Sequence, residues 1–170
     1  ISASPIKLVY IGNLGPAQDI LSFIEIFLKI KKKIELDIYG NGSDREILSS
    51  KLGETRPNNI RYHGSIETHK ITTVLQKSDF GLITLSQRLK MPILPGKLLT
   101  YLENNLPVIV ISSRESMIKH FIDEYNLGAW LEHTKFEQDP ELIIDVMNKY
   151  DSNIKKNERY DLIRTQISPE

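Results

Sequence analysis

The chain has 170 residues, and its 22 Lys and Arg side chains balance its 22 Asp and Glu side chains. This balance gives no overall field toward nucleic acid or an anionic membrane, so we expect no nucleic-acid partner. Cysteine is absent, which excludes disulfides and thiolate-bound metals within the chain.

The length suits one domain, because a chain of this size buries roughly 70% of its unfolded surface. No apolar run approaches the about 20 residues needed to span a bilayer, and there is no signal-peptide pattern. The chain starts at Ile1 rather than Met and stops at Pro169-Glu170, so we interpret it as a fragment of a longer protein. We expect a single domain over 1–170, with 151–168 as a C-terminal helical tail.

Short apolar runs alternate with amphipathic segments along the chain. The periods predict strands at 7–11, 34–39, 60–62, 79–85, 108–111 and 129–131. They predict helices near 20–28, 44–52, 67–76, 96–104, 115–125, 142–147 and 155–166, with Gly53 closing the second. About six strands alternating with helices predict a doubly wound α/β domain, whose mainly parallel sheet has helices on both faces.

The turns at the carboxyl ends of the strands are the predicted ligand edge of such a sheet. These turns are 12–15, 40–42, 63–65, 86–95 and 112–113. Taken singly, the first two are ordinary tight-turn sequences. They lack the Gly-x-Gly-x-x-Gly fingerprint, and no acidic residue closes the second strand to hold a ribose, which disfavours an NAD dehydrogenase.

The helix predicted at 96–104 opens with Pro95 and Gly96 and carries Lys97 in its first turn. An exposed helix N-terminus has unpaired N–H groups and the positive end of the helix dipole, which suits a phosphate. A lysine opposes that dipole, so we interpret Lys97 as the partner of an anionic ligand. The four histidines are scattered without carboxylates at metal-ligand spacing, and we expect no metal or other cofactor.

In chain order, these segments resemble the C-terminal domain of GT-B glycosyltransferases, a Rossmann-like half of that fold. The nearest group is the large retaining family (glycosyltransferase family 4-like) that builds bacterial surface polysaccharides. The opening Gly12-Asn13-x-Gly15-x-Ala17-Gln18 and the Pro-x-Lys-Leu helix resemble a subgroup of O-antigen and capsule enzymes. The segments that carry the resemblance, within 7–131, are 10–15, 38–42, 60–64, 78–83, 95–102 and 106–109.

The resemblance implies a domain that binds a nucleotide-diphospho-sugar, most often a UDP-sugar, while a separate N-terminal domain carries the acceptor. It implies retaining transfer of a hexose or N-acetylhexosamine to a lipid-linked glycan. The full-length protein would be cytoplasmic and peripheral to the inner face of the cytoplasmic membrane. The isolated domain is expected to be inactive.

The resemblance also implies a set of donor-binding residues. The turn at 12–15 would lie beside the diphosphate, 40–42 near the nucleoside and 63–65 at the base. Lys97 would stabilise the leaving diphosphate without a metal; no other catalytic residue is assigned. The implied residues are Gly12, Asn13, Leu14, Gly15, Gln18, Tyr39, Gly40, Asn41, Gly42, His63, Gly64, Lys97, Leu98, Leu99 and Thr100.

The chain departs from the family where two glutamates eight apart are usual, since Pro92 and Thr100 occupy those positions. Glu103 lies one turn beyond Thr100 and would need a register change to replace the second. Asn13 and Gln18 replace the usual arginine and lysine, which leaves more of the diphosphate charge to Lys97. Two basic residues of the preceding loop, Arg88 and Lys90, are candidates to assist it.

Two other functions remain open at this point. Half of a UDP-N-acetylhexosamine 2-epimerase would share the architecture, but it would use clustered carboxylates and histidines for proton abstraction. A non-catalytic flavodoxin-like or receiver-like module would carry acidic strand ends, whereas these strand ends carry Gly, Asn and His.

Overall fold

The computed structural model describes residues 4–89 and 94–150, in which strands and helices alternate. The strands are β1 (Ile6–Ile11), β2 (Ile34–Tyr39), β3 (Ile60–Tyr62), β4 (Phe80–Thr84), β5 (Val108–Ser112) and β6 (Gly128–Glu132). The α-helices are α1 (Ile20–Phe27), α2 (Arg45–Thr55), α3 (Ile71–Leu75), α4 (Gly96–Glu103), α5 (Met117–Tyr125), α6 (His133–Gln138) and α7 (Leu142–Lys149).

The six strands form one sheet in the order β3-β2-β1-β4-β5-β6. All five neighbouring pairs are parallel, and β1 pairs with β2 from Ile6 opposite Ile34 to Ile11 opposite Tyr39. The chain winds outward through β2 and β3 and then returns to β4 on the other side of β1. Ligand crevices form where the winding reverses, which here is at the carboxyl ends of β1 and β4. The predicted doubly wound sheet is confirmed.

Alternate residues of β1 face two separate apolar layers, as expected of a strand buried on both faces. Leu8 and Tyr10 belong to the layer formed with α1, α2, α6 and α7. Val9 and Ile11 belong to the layer formed with α3, α4 and α5. Helices therefore cover both faces of the sheet, as predicted, and α4 lies on the same face as Val9 and Ile11.

The predicted end of the second helix was wrong, because α2 continues through Gly53 to Thr55. Arg56 ends it instead, in the left-handed conformation with φ 44° and its N–H bonded to the carbonyl oxygen of Leu52. Nothing lies within 4 Å of the place where a Cβ on Gly53 would be, so this glycine serves no close contact.

Two other segments differ from the sequence predictions. The helix expected at 67–76 is a 3-10 turn at Thr68–Lys70 followed by the short α3. Helix α6 was not predicted, because its six residues contain a single buried apolar side chain, Phe136. The predicted tail at 151–168 lies outside the described residues. In the part of the chain that is described, no helix has the length and apolar character to cross a membrane.

Candidate functional site

The turn after β1 and the turn after β2 are joined backbone to backbone. The N–H of Gly12 donates to the carbonyl oxygen of Tyr39 at 3.0 Å, and the N–H of Leu14 donates to that of Asn41 at 2.9 Å. Gly40 has a φ of 150°, and a Cβ added there would lie 1.8 Å from the carbonyl oxygen of Gly12. This approach is open to glycine alone, which explains the glycine at the end of β2.

A third turn, after β3, extends the same surface. The N–H of Gly40 donates to the carbonyl oxygen of Gly64 at 2.8 Å, and the hydroxyl of Tyr62 donates to that of Gly40 at 2.9 Å. A Cβ on Gly42 would lie 2.2 Å from the carbonyl oxygen of Leu14. The three glycine-containing turns that the sequence singled out are therefore brought together at one edge of the sheet.

The polar side chains of the first turn pair with one another. The Asn13 Nδ2 atom donates to Gln18 Oε1 at 3.2 Å. A Cβ on Gly15 would lie 2.8 Å from the Asn13 Nδ2 atom, so the amide packs directly over this glycine. Because neither amide is charged, the turn offers hydrogen-bonding groups but no cation of its own.

Lys97 supplies a positive charge beside this turn. It is in the first turn of α4, which begins at Gly96 after the extended Pro95. A Cβ added to Gly12 would lie 3.1 Å from the Lys97 Nζ atom. The Nζ atom also lies 3.7 Å from the centroid of the Tyr10 ring. We refer to the space bounded by turn 12–15, Lys97 and the N-terminus of α4 as the anion site.

The Lys97 ammonium is buried without a counter-ion among the residues that the structure describes. Its Nζ atom has no hydrogen-bond partner among the described residues. Burial lowers the pKa of Lys97 from 10.5 to about 7, because desolvation disfavours the charged form. Buried ammonium groups are normally paired with a carboxylate. An anion that enters the anion site would provide the missing partner and favour the charged form.

Tyr101 holds α4 against the sheet, a role that the sequence did not reveal. Its Oη atom accepts a hydrogen bond from the N–H of Ile11 at 3.0 Å and lies 3.2 Å from the carbonyl oxygen of Leu82. A Cβ on Gly81 would lie 2.5 Å from the Tyr101 ring, so that glycine makes room for it. The four-residue spacing from Lys97, which places both on one helix face, was the available signal.

Two of the predicted donor-binding leucines serve the fold. Leu98 is 1% exposed, and its N–H already donates to the carbonyl oxygen of Pro95 at 2.9 Å, so its expected phosphate contact is occupied. Leu14 is fully buried, and its backbone groups bond to Asn41 and Asp44.

The remaining residues predicted on α4 take different positions. Leu99 is half-buried and packs against the core layer of α4. Thr100 is half-buried, and its carbonyl oxygen accepts a hydrogen bond from Asn104 Nδ2 at 2.8 Å. Glu103 is the last residue of α4. It is three residues beyond Thr100, about 4.5 Å further along the helix axis.

His63 and Tyr39 form a stacked pair beside the second and third turns, with ring centroids 4.4 Å apart and planes inclined by 10°. The Nε2 atom of His63 lies 2.7 Å from Asp37 Oδ1, to which the Arg61 Nε–H also donates, at 2.9 Å. Burial alone would raise the pKa of Asp37, but the hydrogen bonds from Arg61 and His63 outweigh it and hold that pKa below its ordinary value.

The sequence predictions missed Asp37 because they considered only the final residue of β2. The period of two along a strand, which places 37 and 39 on one face, was the available signal.

Arg88 lines a different space from Lys97. A groove of about 1030 Å³ adjoins the first turn on the side of α1, with Pro16, Ala17 and Arg88 in its wall, and its lining does not include Gly12 or Lys97. Lys90 and Pro92 lie outside the described residues. Within 4–89 and 94–150, no group of three or more His, Cys, Asp or Glu side chains could hold a metal ion.

Comparison with known proteins gives one family and a consistent fold. A family described as "Glucosyltransferase 3-like, C-terminal domain" matches residues 8–157. No curated protein matches the sequence. The family match, together with the fold shared with the solved structures below, confirms the resemblance to GT-B glycosyltransferase domains.

Three solved structures illustrate the shared fold. S. aureus TarM, in complex with Fondaparinux, alpha-GlcNAc-glycerol and UDP, is 16% identical, with a TM-score of 0.70 over 99% of this chain and 35% of that one. The apo form of the lipopolysaccharide outer core galactosyltransferase WaaB is 17% identical, with a TM-score of 0.68 over 96% of this chain and 49% of that one. Anabaena HepE in complex with UDP is 10% identical, with a TM-score of 0.69 over 96% and 44%. The chain thus spans less than half the length of each of the three.

Proposed function

Because the chain belongs to the family of glucosyltransferase 3-like C-terminal domains, we propose that it is the donor-binding domain of a retaining bacterial glycosyltransferase that uses a UDP-sugar. TarM and HepE, which share its fold, were both crystallised with UDP. The sugar would be a hexose or N-acetylhexosamine. The acceptor would be a lipid-linked glycan of surface polysaccharide synthesis, held by a separate N-terminal domain at the inner face of the cytoplasmic membrane.

The observation that carries this proposal is the Lys97 ammonium beside a glycine-rich turn, buried with no hydrogen-bond partner in residues 4–89 and 94–150. In the proposed reaction, negative charge grows on the diphosphate as the bond from its oxygen to the sugar breaks. Lys97 and the N-terminus of α4 would stabilise that charge, and catalysis of this kind gains most from charges that are already in place. The proposal therefore requires no metal ion at the diphosphate.

The other predicted residues divide between the two ends of the donor. Asn13 and Gly15 would contact the diphosphate through backbone N–H groups, and Asn13 and Gln18 through their side-chain amides. Gly12, whose N–H bonds to Tyr39, would leave room for the diphosphate beside Lys97. The stacked pair of Tyr39 and His63, with turns 40–42 and 63–65, would border the nucleoside. Thr100 would offer a neutral hydroxyl to the ribose, which gives a weaker bond than the charge-assisted one of a glutamate.

Membership of a glycosyltransferase family favours this function over the two alternatives. A UDP-N-acetylhexosamine 2-epimerase would abstract a proton and would need a carboxylate or imidazole at the sugar. The acid-histidine contact between Asp37 and His63 lies on the nucleoside side of this edge. A phosphoryl-accepting receiver would need an acidic residue where Gly12 and Gly40 stand.

The test is calorimetric titration of the 170-residue chain with UDP, with ADP, GDP and NAD as comparators. We expect saturable binding that is selective for UDP. Lys97→Ala should weaken UDP binding by about ten- to a hundredfold, the size of a lost charged hydrogen bond, and should leave uridine binding unchanged. No binding of UDP to a folded sample, or equal UDP affinity in wild type and variant, would contradict the proposal.

A further inference from the structure

Tyr10 is the side chain that contacts both parts of the anion site. It precedes the turn by two residues and is fully buried. Its ring face lies under the Lys97 Nζ atom, 3.7 Å from the ring centroid. Its hydroxyl donates to the carbonyl oxygen of Asn13 at 2.5 Å. One rigid side chain thus spans from the cation on α4 to the backbone of the turn after β1.

The ring is the group that offsets the burial of the ammonium. The face of an aromatic ring attracts a cation, and the attraction is stronger where water is excluded. Lys97 Nζ has no hydrogen bond among the described residues, so this contact is its principal favourable interaction. Without this contact, the long lysine side chain would reach a lower free energy by turning out into water.

The charges around the pair support this division of roles. Burial is the cause of the lowered pKa of Lys97. Burial raises the pKa of Tyr10 far above its ordinary value, and Tyr101 on α4 and Asp44 before α2 raise it further. Tyr10 is therefore a neutral phenol throughout the physiological range and keeps its proton as a donor to Asn13.

We propose that Tyr10 is a positioning residue for the anion site, whose ring holds the Lys97 amine at Gly12 while its hydroxyl holds the Asn13 carbonyl. The inference rests on the proposed function in one respect, that the anion is the diphosphate of a nucleotide. The ring and the hydroxyl have separable tasks: the ring sets the charge and position of Lys97, and the hydroxyl sets the shape of the turn.

The ring's task is tested in the free chain, with no ligand. Tyr10→Phe is compared with pentafluorophenylalanine at the same position, which has nearly the same shape but an electron-poor ring face. The readout is the pH titration of the ¹³Cε resonance of Lys97. We expect the Phe variant to titrate like wild type and the fluorinated variant to titrate at lower pH, because its ring no longer favours the ammonium.

Lys119 is the internal control, since its Nζ atom lies 4.9 Å from the Trp130 ring centroid and also bonds to Asp123. Its ¹³Cε chemical shift at a fixed pH should be the same in all three proteins. If the fluorinated variant does not fold, Tyr10→Leu replaces it, with the same expected direction for Lys97. A Lys97 midpoint that stays at the wild-type value without the electron-rich ring would overturn the inference, as would a midpoint moved by Tyr10→Phe.

UDP titration of the same proteins separates this inference from the proposed function. We expect roughly tenfold weaker UDP binding in the fluorinated variant than in Tyr10→Phe. If wild type binds no UDP but the Lys97 midpoints differ as expected, Tyr10 positions Lys97 and the proposed function is wrong. If wild type binds UDP and the midpoints coincide, the proposed function stands and the role of Tyr10 is refuted.

Discussion

The phenol oxygen of Tyr101 accepts a hydrogen bond from the N–H of Ile11 at 3.0 Å, although the two residues are 90 positions apart in the chain. Ile11 is the last residue of β1, next to Gly12. Lys97 is one turn before Tyr101 on the same face of α4. A buried contact of the core therefore holds the cation of the anion site beside the turn that it serves.

Tyr101→Phe should lower stability and also weaken UDP binding. It leaves the buried N–H of Ile11 without an acceptor, which costs about 1–3 kcal/mol. Urea unfolding measures the loss. The matched control is Tyr62→Phe, whose hydroxyl donates to the Gly40 carbonyl in a partly exposed position. Because this hydrogen bond is only partly buried, we expect a loss below about 1 kcal/mol. Equal losses of unfolding free energy in the two variants would contradict the larger contribution that we expect from the buried Tyr101 hydrogen bond.

Alanine at Gly40 should be strongly destabilising. Its Cβ would lie 1.8 Å from the carbonyl oxygen of Gly12, at a φ of 150°, and we expect a cost of at least about 2 kcal/mol. Gly53→Ala is the control, because Gly53 is an exposed position in α2 with open space around it. It should stabilise the chain by about 0.5–1 kcal/mol. The urea midpoints of unfolding of both variants test this prediction. If Gly40→Ala were as stable as wild type, the turns after β1 and β2 would be able to separate.

Lys97→Met should make the chain more stable while it weakens UDP binding. Methionine fills a similar volume without burying an amine, and we expect a gain of roughly 4 kcal/mol near neutral pH, the size that the lowered pKa of Lys97 implies. The folded pKa of about 7 lies below the ordinary value of 10.5, so the unfolded chain binds the extra proton between them. Wild-type stability should therefore rise with pH through this window relative to the Met variant.

The difference in unfolding free energy between the two proteins isolates Lys97 from the other titrating groups. It should be largest below pH 7 and should close as the pH approaches 10.5. Urea unfolding of both proteins across this range measures it. A constant difference, or a Met variant that is less stable than wild type at neutral pH, would contradict the destabilising burial of the Lys97 ammonium.

UDP binding should take up a proton above neutral pH. With a pKa of about 7, Lys97 is mostly neutral in the free chain at a pH well above this value. A bound diphosphate favours the ammonium, so the uptake should approach one proton per site and the affinity should fall as the pH rises.

Calorimetry at about pH 8 in two buffers of different ionisation enthalpy measures this uptake. Lys97→Met should show none, which makes it the matched control. Uptake of the same size in both proteins would assign the proton to another group.

Local patterns in the sequence determined the strands, the two-sided sheet and the predicted ligand edge of this protein. The periods of apolar residues predicted six strands and a two-sided sheet, and the glycines after β1 and β2 predicted the ligand edge. Lys97 was predicted to be the partner of an anionic ligand because a lysine in the first turn of a helix opposes the helix dipole. Each of these signals comes from residues within a few positions of one another, where spacing alone carries the information.

Tertiary structure decided which groups meet at that edge. Tyr10 lies under Lys97 and Tyr101 reaches Ile11 only because the crossover from β4 places α4 over β1. These contacts join residues far apart in the chain, and no local period encodes them. Their geometry follows from how the helix packs on the sheet, which the whole core determines.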